Sequence, residues 1–407
     1  MALEFDAARA LILSHAKVLE SEKVALGHSV GRVLAESIIA PWALPGADNS
    51  AMDGYAIAFK QNTDRTDYQV IGFLAAGQSN EGLSVGEGQA IKIMTGAVMP
   101  AGADTVVPSE RVESLTEDSI RVRTPVRPGD NVRVAGEDVV EGTVVLPTGS
   151  TLRPAEISLL ASFGITEPLV VRRPVVAILS TGDELIEPGQ RPGIGQVVNS
   201  NSLALEAAIR ALGAEPRQLG IAKDLRQDTG ALIGEGLKAD VLLTTAGISV
   251  GDRDYVQDAL NDSGVQVHFS GLRIKPGRPT TFGSRGHTLI FSLPGNPVST
   301  LLTFEEFVRP ALQAMMGYQN AVDTVLKAKL AEPVRKKPGN LHLLRVLVEK
   351  RGDVYQARSA GDQNTGILTT MIRANGIALL DADREYFDAG EEVLVDRIGP
   401  ITDIADE

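Results

Sequence analysis

Small residues and carboxylates follow several apolar runs in the middle of the sequence, a combination that suits the binding of a charged ligand. Glycine lets a backbone approach a ligand closely, and carboxylates supply the oxygen atoms that a divalent cation prefers. Loops at strand ends are commonly rich in glycine and aspartate, and for any single loop that explanation is the better one. Four such loops at one edge of a sheet favour a ligand site instead. The loops are 180–185 (Ser-Thr-Gly-Asp-Glu-Leu), 223–224 (Lys-Asp), 246–254 (Ala-Gly-Ile-Ser-Val-Gly-Asp-Arg-Asp) and 294–297 (Pro-Gly-Asn-Pro).

Two features close to these loops are suited to anions. Asn296, which precedes a proline, is typical of a helix start, where free backbone N–H groups and the positive end of the helix dipole favour a phosphate. A well-capped helix without a ligand has the same pattern. A proline-rich loop carries Arg273, Lys275 and Arg278, and its stiffness favours anion capture. A solvated charged turn is the alternative for this loop.

Polar residues of the N-terminal half are further candidates. In the segment 48–56 (Asp-Asn-Ser-Ala-Met-Asp-Gly-Tyr-Ala), Asp53 is either a metal ligand or base, or part of an Asx turn that leads into a strand. Thr95 lies at the end of a predicted strand, and Asp138 follows the strand that holds Arg133. Acids beside an arginine are more typical of a surface ion pair than of a site.

Several familiar catalytic motifs are missing from the sequence. It has no Gly-Lys dipeptide, and hence no Walker-type phosphate loop, and it has no G-x-G-x-x-G dinucleotide turn. The five histidines lack metal-ligand spacing. The segment 247–251 matches the G-x-S-x-G pattern of serine hydrolases, but three charged residues separate it from the following helix. A hydrolase is therefore the weaker interpretation.

The hydrophobic pattern indicates the elements that must position these residues. Apolar strand runs alternate with amphipathic helices between residues 174 and 316, which predicts a parallel sheet with helices on both faces. Short strand patterns between turns fill residues 68–146, and strand patterns return in the C-terminal segment, which predicts a small β-barrel or sandwich. Further helices are predicted at 4–17 and 153–164.

The composition limits the partners of the protein. The chain has 407 residues and a formal net charge of −13, so its surface repels nucleic acid and anionic membranes. An anionic substrate then needs a local basic pocket or a metal ion. The sequence has no cysteine, which excludes disulfides and thiolate metal sites. No apolar run is long enough to span a membrane, and early acidic residues argue against a signal peptide, so the expected location is the cytoplasm.

Seven motifs, in order and at matching spacing over nearly the whole chain, resemble the molybdopterin molybdenumtransferase family (the MoeA type, which includes the E domain of gephyrin). Any one of these strings could arise by chance, but seven in order are highly specific. They are D-N-S-A-M-D-G-Y-A at 48–56, M-T-G-A at 94–97, N-V-R-x-x-G-E-D at 131–138, S-T-G-D-E-L at 180–185, G-I-S-V-G-D-x-D-Y at 247–255, I-K-P-G-R-P at 274–279 and L-P-G-N-P-V-S at 293–299.

The resemblance implies an α/β multidomain protein with four domains. Domain III, residues 173–318, would be a doubly wound α/β domain similar to molybdopterin adenylyltransferases. A helical, discontinuous domain I would comprise residues 1–42 and 136–172, with a β-rich lid domain II, residues 43–135, inserted. Domain IV, residues 319–407, would be a C-terminal β-barrel. The family also implies a homodimer, with the active site in a cleft between the α/β domain of one subunit and the lid of the other.

The resemblance further implies that the protein inserts molybdenum from molybdate into adenylylated molybdopterin, with Mg²⁺ as cofactor, and releases AMP. A molybdopterin adenylyltransferase would supply the substrate, and molybdoenzymes would receive the product. The implied catalytic residues are Asp53, Glu184, Asp224, Asp254 and Lys275, of which Glu184, Asp224 and Asp254 would hold the metal. The implied substrate-binding residues are Thr95, Arg133, Asp138, Ser180, Thr181, Gly182, Asp183, Gly247, Ser249, Gly251, Arg278, Pro294, Gly295, Asn296, Pro297, Arg345 and Thr365.

The sequence departs from the family pattern at three positions. Ala246 stands where the family usually has glycine, Gly271 stands where many members have lysine, and Asn199 replaces a frequent aspartate. These departures bear on substrate affinity and on the choice between molybdate and tungstate. Two other functions are the adenylyltransferase step itself, which would not need the flanking domains, and a non-catalytic scaffold, which the retained acidic positions disfavour.

Overall fold

The computed structural model describes residues 2–59, 65–223, 226–246, 255–319 and 325–404. Its contacts divide the chain into two compact units. The first, called here the α/β–barrel unit, comprises residues 1–24, 28–35 and 169–407, and the second, the β-rich unit, comprises residues 25–27 and 36–168. The two units are described separately.

The helices and strands of the described residues are numbered in chain order. The helices are α1 (Phe5–His15), α2 (Pro154–Ser162), α3 (Ser200–Ala211), α4 (Arg226–Gly236), α5 (Tyr255–Asp262), α6 (Pro297–Thr303), α7 (Arg309–Met315) and α8 (Thr369–Arg373). The strands of the β-rich unit are β2 (Ile38–Ile39), β3 (Asn49–Ser50), β4 (Gly54–Ile57), β5 (Asp67–Leu74), β6 (Gln89–Ile93), β7 (Thr105–Pro108), β8 (Val112–Thr116), β9 (Ser119–Val122), β10 (Val132–Arg133) and β11 (Val144–Leu146). Those of the α/β–barrel unit are β1 (Ser21–Lys23), β12 (Leu169–Val171), β13 (Val175–Thr181), β14 (Leu185–Ile186), β15 (Val197–Val198), β16 (Glu215–Ala222), β17 (Val241–Thr245), β18 (Gln266–Ser270), β19 (Ile274–Lys275), β20 (Thr281–Arg285), β21 (Thr288–Leu293), β22 (Val325–Leu330), β23 (Val334–Arg335), β24 (Leu341–Arg351), β25 (Val354–Ser359), β26 (Gly376–Leu380), β27 (Tyr386–Phe387), β28 (Glu392–Arg397) and β29 (Thr402–Ile404).

The α/β part is built on a six-stranded sheet in the order β16-β13-β17-β21-β20-β18. The first four strands are parallel, whereas β20 runs antiparallel to both of its neighbours, β21 and the edge strand β18. The prediction of a doubly wound α/β domain is confirmed. The prediction that all strands of the sheet are parallel is wrong at this edge. The sequence pattern did not predict β20, because this strand contains Gly283 and glycine is rare in strands. A Cβ at position 283 would lie 2.8 Å from the Gln266 carbonyl oxygen, so the close pairing with β18 requires glycine.

Each face of this sheet has its own apolar core, because side chains alternate along a strand. On one face, Ile178, Leu243 and Phe291 pack in the same cluster as residues of α1, α3 and α7. On the other face, Leu179 and Leu242 pack with residues of α4 and α5. The helix that starts with α6 continues through a π-helical segment, Phe304–Val308, into α7.

The C-terminal part is a closed barrel of five strands. Its order is β24-β25-β22-β28-β26, and β26 pairs again with β24 to close the circle. Inward-facing side chains such as Leu344, Val346 and Val395 fill the interior. The short strand β19 adds to β24, so the loop after β18 is joined to the barrel. The predicted C-terminal β-barrel is confirmed.

The β-rich unit contains a six-stranded sheet in the order β7-β4-β6-β5-β9-β8. Two short antiparallel strand pairs, β2 with β11 and β3 with β10, are formed by the segments that precede and follow this sheet in the chain. Helix α2 starts with Pro154 at its first position, and the Glu156 side chain accepts a hydrogen bond from the Arg153 backbone N–H at 2.9 Å.

The predicted helical character of domain I is wrong, because the segments 1–42 and 136–172 are mixed. They hold α1 and α2 together with β1, β2, β11 and β12. Valine and isoleucine in short runs between turns favour strand pairing over helix. Phe5, Ala8 and Ile12 of α1 are buried in the core of the α/β sheet. The four domain boundaries stay a prediction.

In the described part of the chain, no helix has the length and apolar character needed to cross a membrane.

Candidate functional site

A cavity of about 500 Å³ lies where the parallel strands of the α/β sheet end. Three of the predicted loops meet there, since β13, β17 and β21 end at the same edge. The lining residues are Glu184, Leu185, Val197, Val198, Asn199, Ser200, Asn201, Thr245, Ala246, Pro279, Pro294, Gly295, Asn296 and Pro297. The cavity lies at the edge where the sequence analysis expected a ligand site.

A chain of buried hydrogen bonds fixes the floor of this cavity. The Thr245 hydroxyl donates to Ser180 Oγ at 3.1 Å, and the Ser180 hydroxyl donates to Asn199 Oδ1 at 3.1 Å. Asn199 Oδ1 also accepts from the Ser202 backbone N–H at 3.4 Å, as the N-cap of α3. An amide at position 199 supplies these contacts without placing a negative charge in a buried position. Thr181 is buried as well, and its hydroxyl donates to the Thr245 carbonyl at 3.3 Å.

The N-terminal ends of two helices face the same cavity. Helix α3 begins after Asn199, and α6 begins after Asn296. The Asn201 side chain donates to the Gly295 carbonyl at 2.8 Å and so holds the two helix starts together. The Asn296 side chain makes no capping bond; it donates to Thr365 Oγ1 at 3.3 Å. Free N–H groups and two positive dipole ends at one cavity suit an anion.

The backbone conformation of Gly182 favours glycine, and Gly295 leaves little room for a side chain. Gly182 has φ 140°, and a Cβ there would lie 2.5 to 2.8 Å from the carboxylate of Glu184, which lies over its backbone. A Cβ at Gly295 would lie 3.2 Å from the Cβ of Ala246. Ala246 itself has φ 66°, a left-handed conformation that favours glycine. The departure from the family at this position therefore costs backbone strain of about 1 kcal/mol.

Basic residues from distant parts of the chain gather around His342, and this cluster is called here the basic wall. Strand β19 places Lys275 opposite His342 of β24. Arg345, further along β24, is 1% exposed, and its Nη2 donates to the carbonyls of Asp362 at 3.0 Å and Asn364 at 3.4 Å. These contacts order the loop that ends at Thr365, which in turn contacts Asn296.

The charges of the basic wall are partly offset by nearby carboxylates, since Asp381 and Asp383 act on Lys336 and Asp362 acts on Arg345. Nε and Nη1 of Arg345 have no hydrogen-bond partner among the described residues. Lys336 is buried and donates to the Ala382 carbonyl at 3.0 Å. Burial, and after it the charges of Lys275, Lys336 and Arg345, lowers the pKa of His342 to about 4. An anion in front of this wall would gain from all three charges.

The other basic residues of the proline-rich loop differ in their surroundings. Arg273 is engaged by Glu4 at 2.5 Å, so it does not replace the lysine that is missing at position 271. Gly271 has φ 93°, a conformation that a lysine would adopt only with strain, which gives a local reason for the glycine. Arg278 is exposed.

Two of the site residues predicted in the β-rich unit are in direct contact. Asp53 accepts hydrogen bonds from the Thr95 backbone N–H at 2.7 Å and from the Thr95 hydroxyl at 2.8 Å. These two bonds lower the pKa of Asp53, so the carboxylate is ionised. Arg133 lies on β10 opposite Asn49 of β3, and Asp138 is exposed in the turn after β10.

Part of the predicted site lies outside the described residues. This applies to Asp224, Gly247, Ser249, Gly251 and Asp254. Asp183 is described and exposed. Within the described residues, no group of three or more His, Asp or Glu side chains converges on a point that could hold a metal ion.

The sequence analysis missed three residues that shape the site. Asn201 joins the two helix starts, and His342 and Lys336 belong to the basic wall. The run Asn-Ser-Asn-Ser at 199–202 is a signal for a helix N-terminus and could have identified the first of them. The other two depend on the pairing of β19 with β24, for which the sequence has no local signal.

His342 gives the first testable prediction. Its pKa of about 4 is below the ordinary value of 6.5, so the unfolded chain takes up a proton before the folded chain does. The free energy of unfolding should therefore fall as the pH drops from about 6.5 to about 4. His342→Gln should reduce this fall, which urea unfolding at several pH values would measure. His287→Gln is the matched control at an exposed histidine. An unchanged pH profile in His342→Gln would contradict the prediction.

Comparison with known proteins agrees with this architecture. Three family profiles match in order: the MoeA N-terminal region (domain I and II) over residues 3–164, a probable molybdopterin binding domain over residues 177–314, and the MoeA C-terminal region (domain IV) over residues 327–397. Together they span most of the chain.

Full-length relatives and a solved structure match as well. The chain is 34% identical over 393 residues to a molybdopterin molybdenumtransferase from Nostoc sp., covering 92% of this chain and 88% of the relative. It is 33% identical to the protein of that name from Haemophilus influenzae, covering 97% and 98%. The molybdopterin biosynthesis MoeA protein from Pyrococcus horikosii superposes with a TM-score of 0.84 at 29% identity, covering 98% of this chain and all of that one.

Proposed function

The chain belongs to the molybdopterin molybdenumtransferase family, and from this premise we propose that it inserts molybdenum from molybdate into adenylylated molybdopterin and releases AMP. In this reaction water cleaves the phosphoanhydride between AMP and the pterin phosphate, which releases both phosphates, and the dithiolene sulfurs of the pterin replace oxygen of molybdate, which leaves as water. Both substrates are anions, so the site must offset their mutual repulsion.

The observation that carries this proposal is the convergence of two helix N-termini on one cavity of an acidic protein. Two helix N-termini, held together by Asn201, face a cavity of about 500 Å³. Lys275, Lys336 and Arg345 gather around His342, and the loop that Arg345 holds reaches the cavity through the bond between Thr365 and Asn296, in a chain whose net charge is −13. The volume fits a small organic ligand. Helix N-termini are suited to the phosphate groups, and the basic wall is suited to the molybdate oxygens.

We propose that Mg²⁺ is the cofactor. Glu184, at the mouth of the cavity, would hold it together with Asp224 and Asp254. These donors are all carboxylate oxygens, which are the ligands that Mg²⁺ prefers, and Glu184 is exposed and free to turn toward a cation. When bound, the ion would neutralise charge on the phosphate oxygens. The residues of the chain then orient the substrate: Asn296 and Gly295 through backbone N–H groups, and Arg345 through its guanidinium.

The protein is proposed to be a homodimer in the cytoplasm, without nucleic acid or membrane partners. An exposed apolar pair in the β-rich unit supports self-association: Ile39 and Val144 lie opposite each other in the β2–β11 pair, and each is more than half exposed. Asp53, held by Thr95, is proposed to act on the same reaction. An adenylyltransferase that supplies the substrate and molybdoenzymes that accept the product are the proposed partners.

The direct test supplies purified protein with adenylylated molybdopterin, molybdate and Mg²⁺ and measures AMP by chromatography. Release of AMP should require both molybdate and the divalent ion, so a chelator should stop it and added Mg²⁺ should restore it. Omission of molybdate is the matched control. AMP release at the same rate with and without molybdate would contradict the proposed transferase function. Consumption of ATP on molybdopterin without molybdate would indicate the adenylyltransferase step instead.

A further inference from the structure

A second cavity, of about 220 Å³, lies in the α/β–barrel unit away from the strand ends that carry the proposed active site. The segment 30–33 forms one side, and the C-terminal ends of α3 and α7 form the other, with Met316 after α7. The N-terminal end of α3 lines the first cavity, so the length of this helix, about 18 Å, separates the two. We call this second space the arginine cavity.

Three guanidinium groups line the arginine cavity, and one of them is unpaired. Arg32 is 8% exposed and donates to the carboxylate of Glu22 at 2.5 Å and to the Val171 carbonyl at 2.7 Å. Arg210 is paired with Glu206 at 2.8 Å. Arg173 has a buried Nε without a hydrogen-bond partner, and no salt bridge is found for it within the described ranges. A buried N–H group without a hydrogen-bond partner is costly, which indicates a missing acceptor for this Nε.

The helix ends beside Arg173 do not supply that acceptor. At the end of α3, the N–H groups of residues 213 and 214 already bond the carbonyls of residues 210 and 209 at 2.9 and 3.1 Å. At the end of α7, those of residues 317 and 318 bond the carbonyls of residues 314 and 313, both at 3.0 Å. The Tyr318 hydroxyl donates to the Gly31 carbonyl at 2.5 Å. Burial raises the pKa of Tyr318 although Arg173 and Arg32 act against it, so the hydroxyl stays neutral.

Size and charge define what the arginine cavity can hold. A volume of about 220 Å³ is below the range of drug-sized ligand pockets, so a nucleotide or a pterin does not fit. A guanidinium matches the oxygen spacing of a phosphate-like group. The negative ends of two helix dipoles oppose an anion here, so we expect millimolar affinity.

We propose that the arginine cavity is a second anion site, which binds a small tetrahedral oxyanion through Arg173. Inorganic phosphate, sulfate and molybdate share this chemistry. The site is independent of the proposed transferase activity, since it rests on a different cavity and on residues that the reaction does not use.

The test is a calorimetric titration of the full-length protein with inorganic phosphate at constant ionic strength, repeated with sulfate and with molybdate. At least one of these anions should bind saturably, and Arg173→Ala should weaken that binding roughly tenfold or more, because a charge-assisted contact is lost. Arg217→Ala removes a guanidinium paired with Glu235 elsewhere on the unit and is the matched control. Arg173→Lys keeps the positive charge and serves as a second variant in case Arg173→Ala does not fold. It should bind the anion more weakly than the natural chain.

The same titration in Lys275→Met separates the two cavities. Binding in the arginine cavity should be unchanged in that variant, whereas binding at the basic wall should be lost. Saturable binding that Lys275→Met leaves intact and Arg173→Ala removes would support the proposal, whichever of the three anions gives it. Binding that survives both Arg173 substitutions, or no saturable binding of any of the three anions at millimolar concentration, would overturn it.

Discussion

Replacing Lys275 by methionine is expected to slow molybdate-dependent AMP release by roughly 100- to 1,000-fold, the usual effect of removing one fixed charge or donor from an active site. Lys275 is next to His342 in the β19–β24 pair, and with Lys336 and Arg345 it forms the positive side of the site. Methionine preserves much of the length and apolar contact of the lysine stem and removes only the charge. Steady-state rates at saturating molybdate would measure the effect.

The matched control is Lys337→Met, which removes the charge of an exposed lysine outside the site and should change the rate less than about twofold. Lys275→Arg keeps the charge and should recover part of the lost activity. Equal rates for Lys275→Met and Lys337→Met would show that the basic wall does not face the reacting anions. If Lys275→Met and the natural chain have equal rates at high salt, the substitution removes only a long-range electrostatic attraction between Lys275 and the anions.

Local patterns predicted the elements of the fold well. Of the alternating strands and helices predicted between residues 174 and 316, the first apolar run became β13 (Val175–Thr181), and the helical pattern after it became α3 (Ser200–Ala211). Both rest on short-range signals: an uninterrupted buried strand and a 3.6-residue period. Strand β20 was missed, because its central Gly283 lowers strand propensity while permitting a close pairing.

The position of the cavity could be predicted, but the electrostatics of its surroundings could not. The rule that ligands bind beyond the carboxyl ends of parallel strands locates the cavity from the sequence. Lys275 and Arg345 lie close together because β19 pairs with β24, although the two residues are 70 positions apart in the sequence. No local sequence pattern predicts this strand pair. The same holds for the bond between Asn296 and Thr365. The family resemblance named these residues without giving a physical reason for their proximity.

A buried ionic cluster ties three parts of the α/β–barrel unit together. Arg9 of α1 bonds the carboxylate of Glu306 in the π-helical segment, and it donates to Asp396 Oδ2 of β28 at 3.1 Å. Glu306 is 1% exposed and Asp396 5% exposed. One oxygen of each carboxylate has no hydrogen-bond partner within the described part of the chain. A single arginine therefore compensates two buried acids.

Arg9→Met is accordingly expected to lower the free energy of unfolding by about 3–5 kcal/mol, because it leaves two buried carboxylates without a cation. Urea unfolding followed by circular dichroism would measure the change. Arg335→Met, which breaks an exposed pair with Glu385, should cost less than about 1 kcal/mol and is the control in the same unit. Adding Glu306→Gln to Arg9→Met should restore part of the stability, since it removes one of the uncompensated charges.

The pH dependence of this defect follows from the direction of the Glu306 shift. Burial, together with the charge of Asp396, raises the pKa of Glu306 well above 4.5, so the folded chain holds this proton more tightly than the unfolded chain. Stability therefore falls as the pH rises from about 4.5 through the raised value, and without Arg9 this fall becomes larger. Arg9→Met should thus differ from the natural chain least near pH 4.5 and most near neutrality. A defect that is the same at both pH values would mean that Arg9 stabilises the unit by packing on Phe5, whose ring centre lies 4.5 Å from the guanidinium, and not by compensating charge.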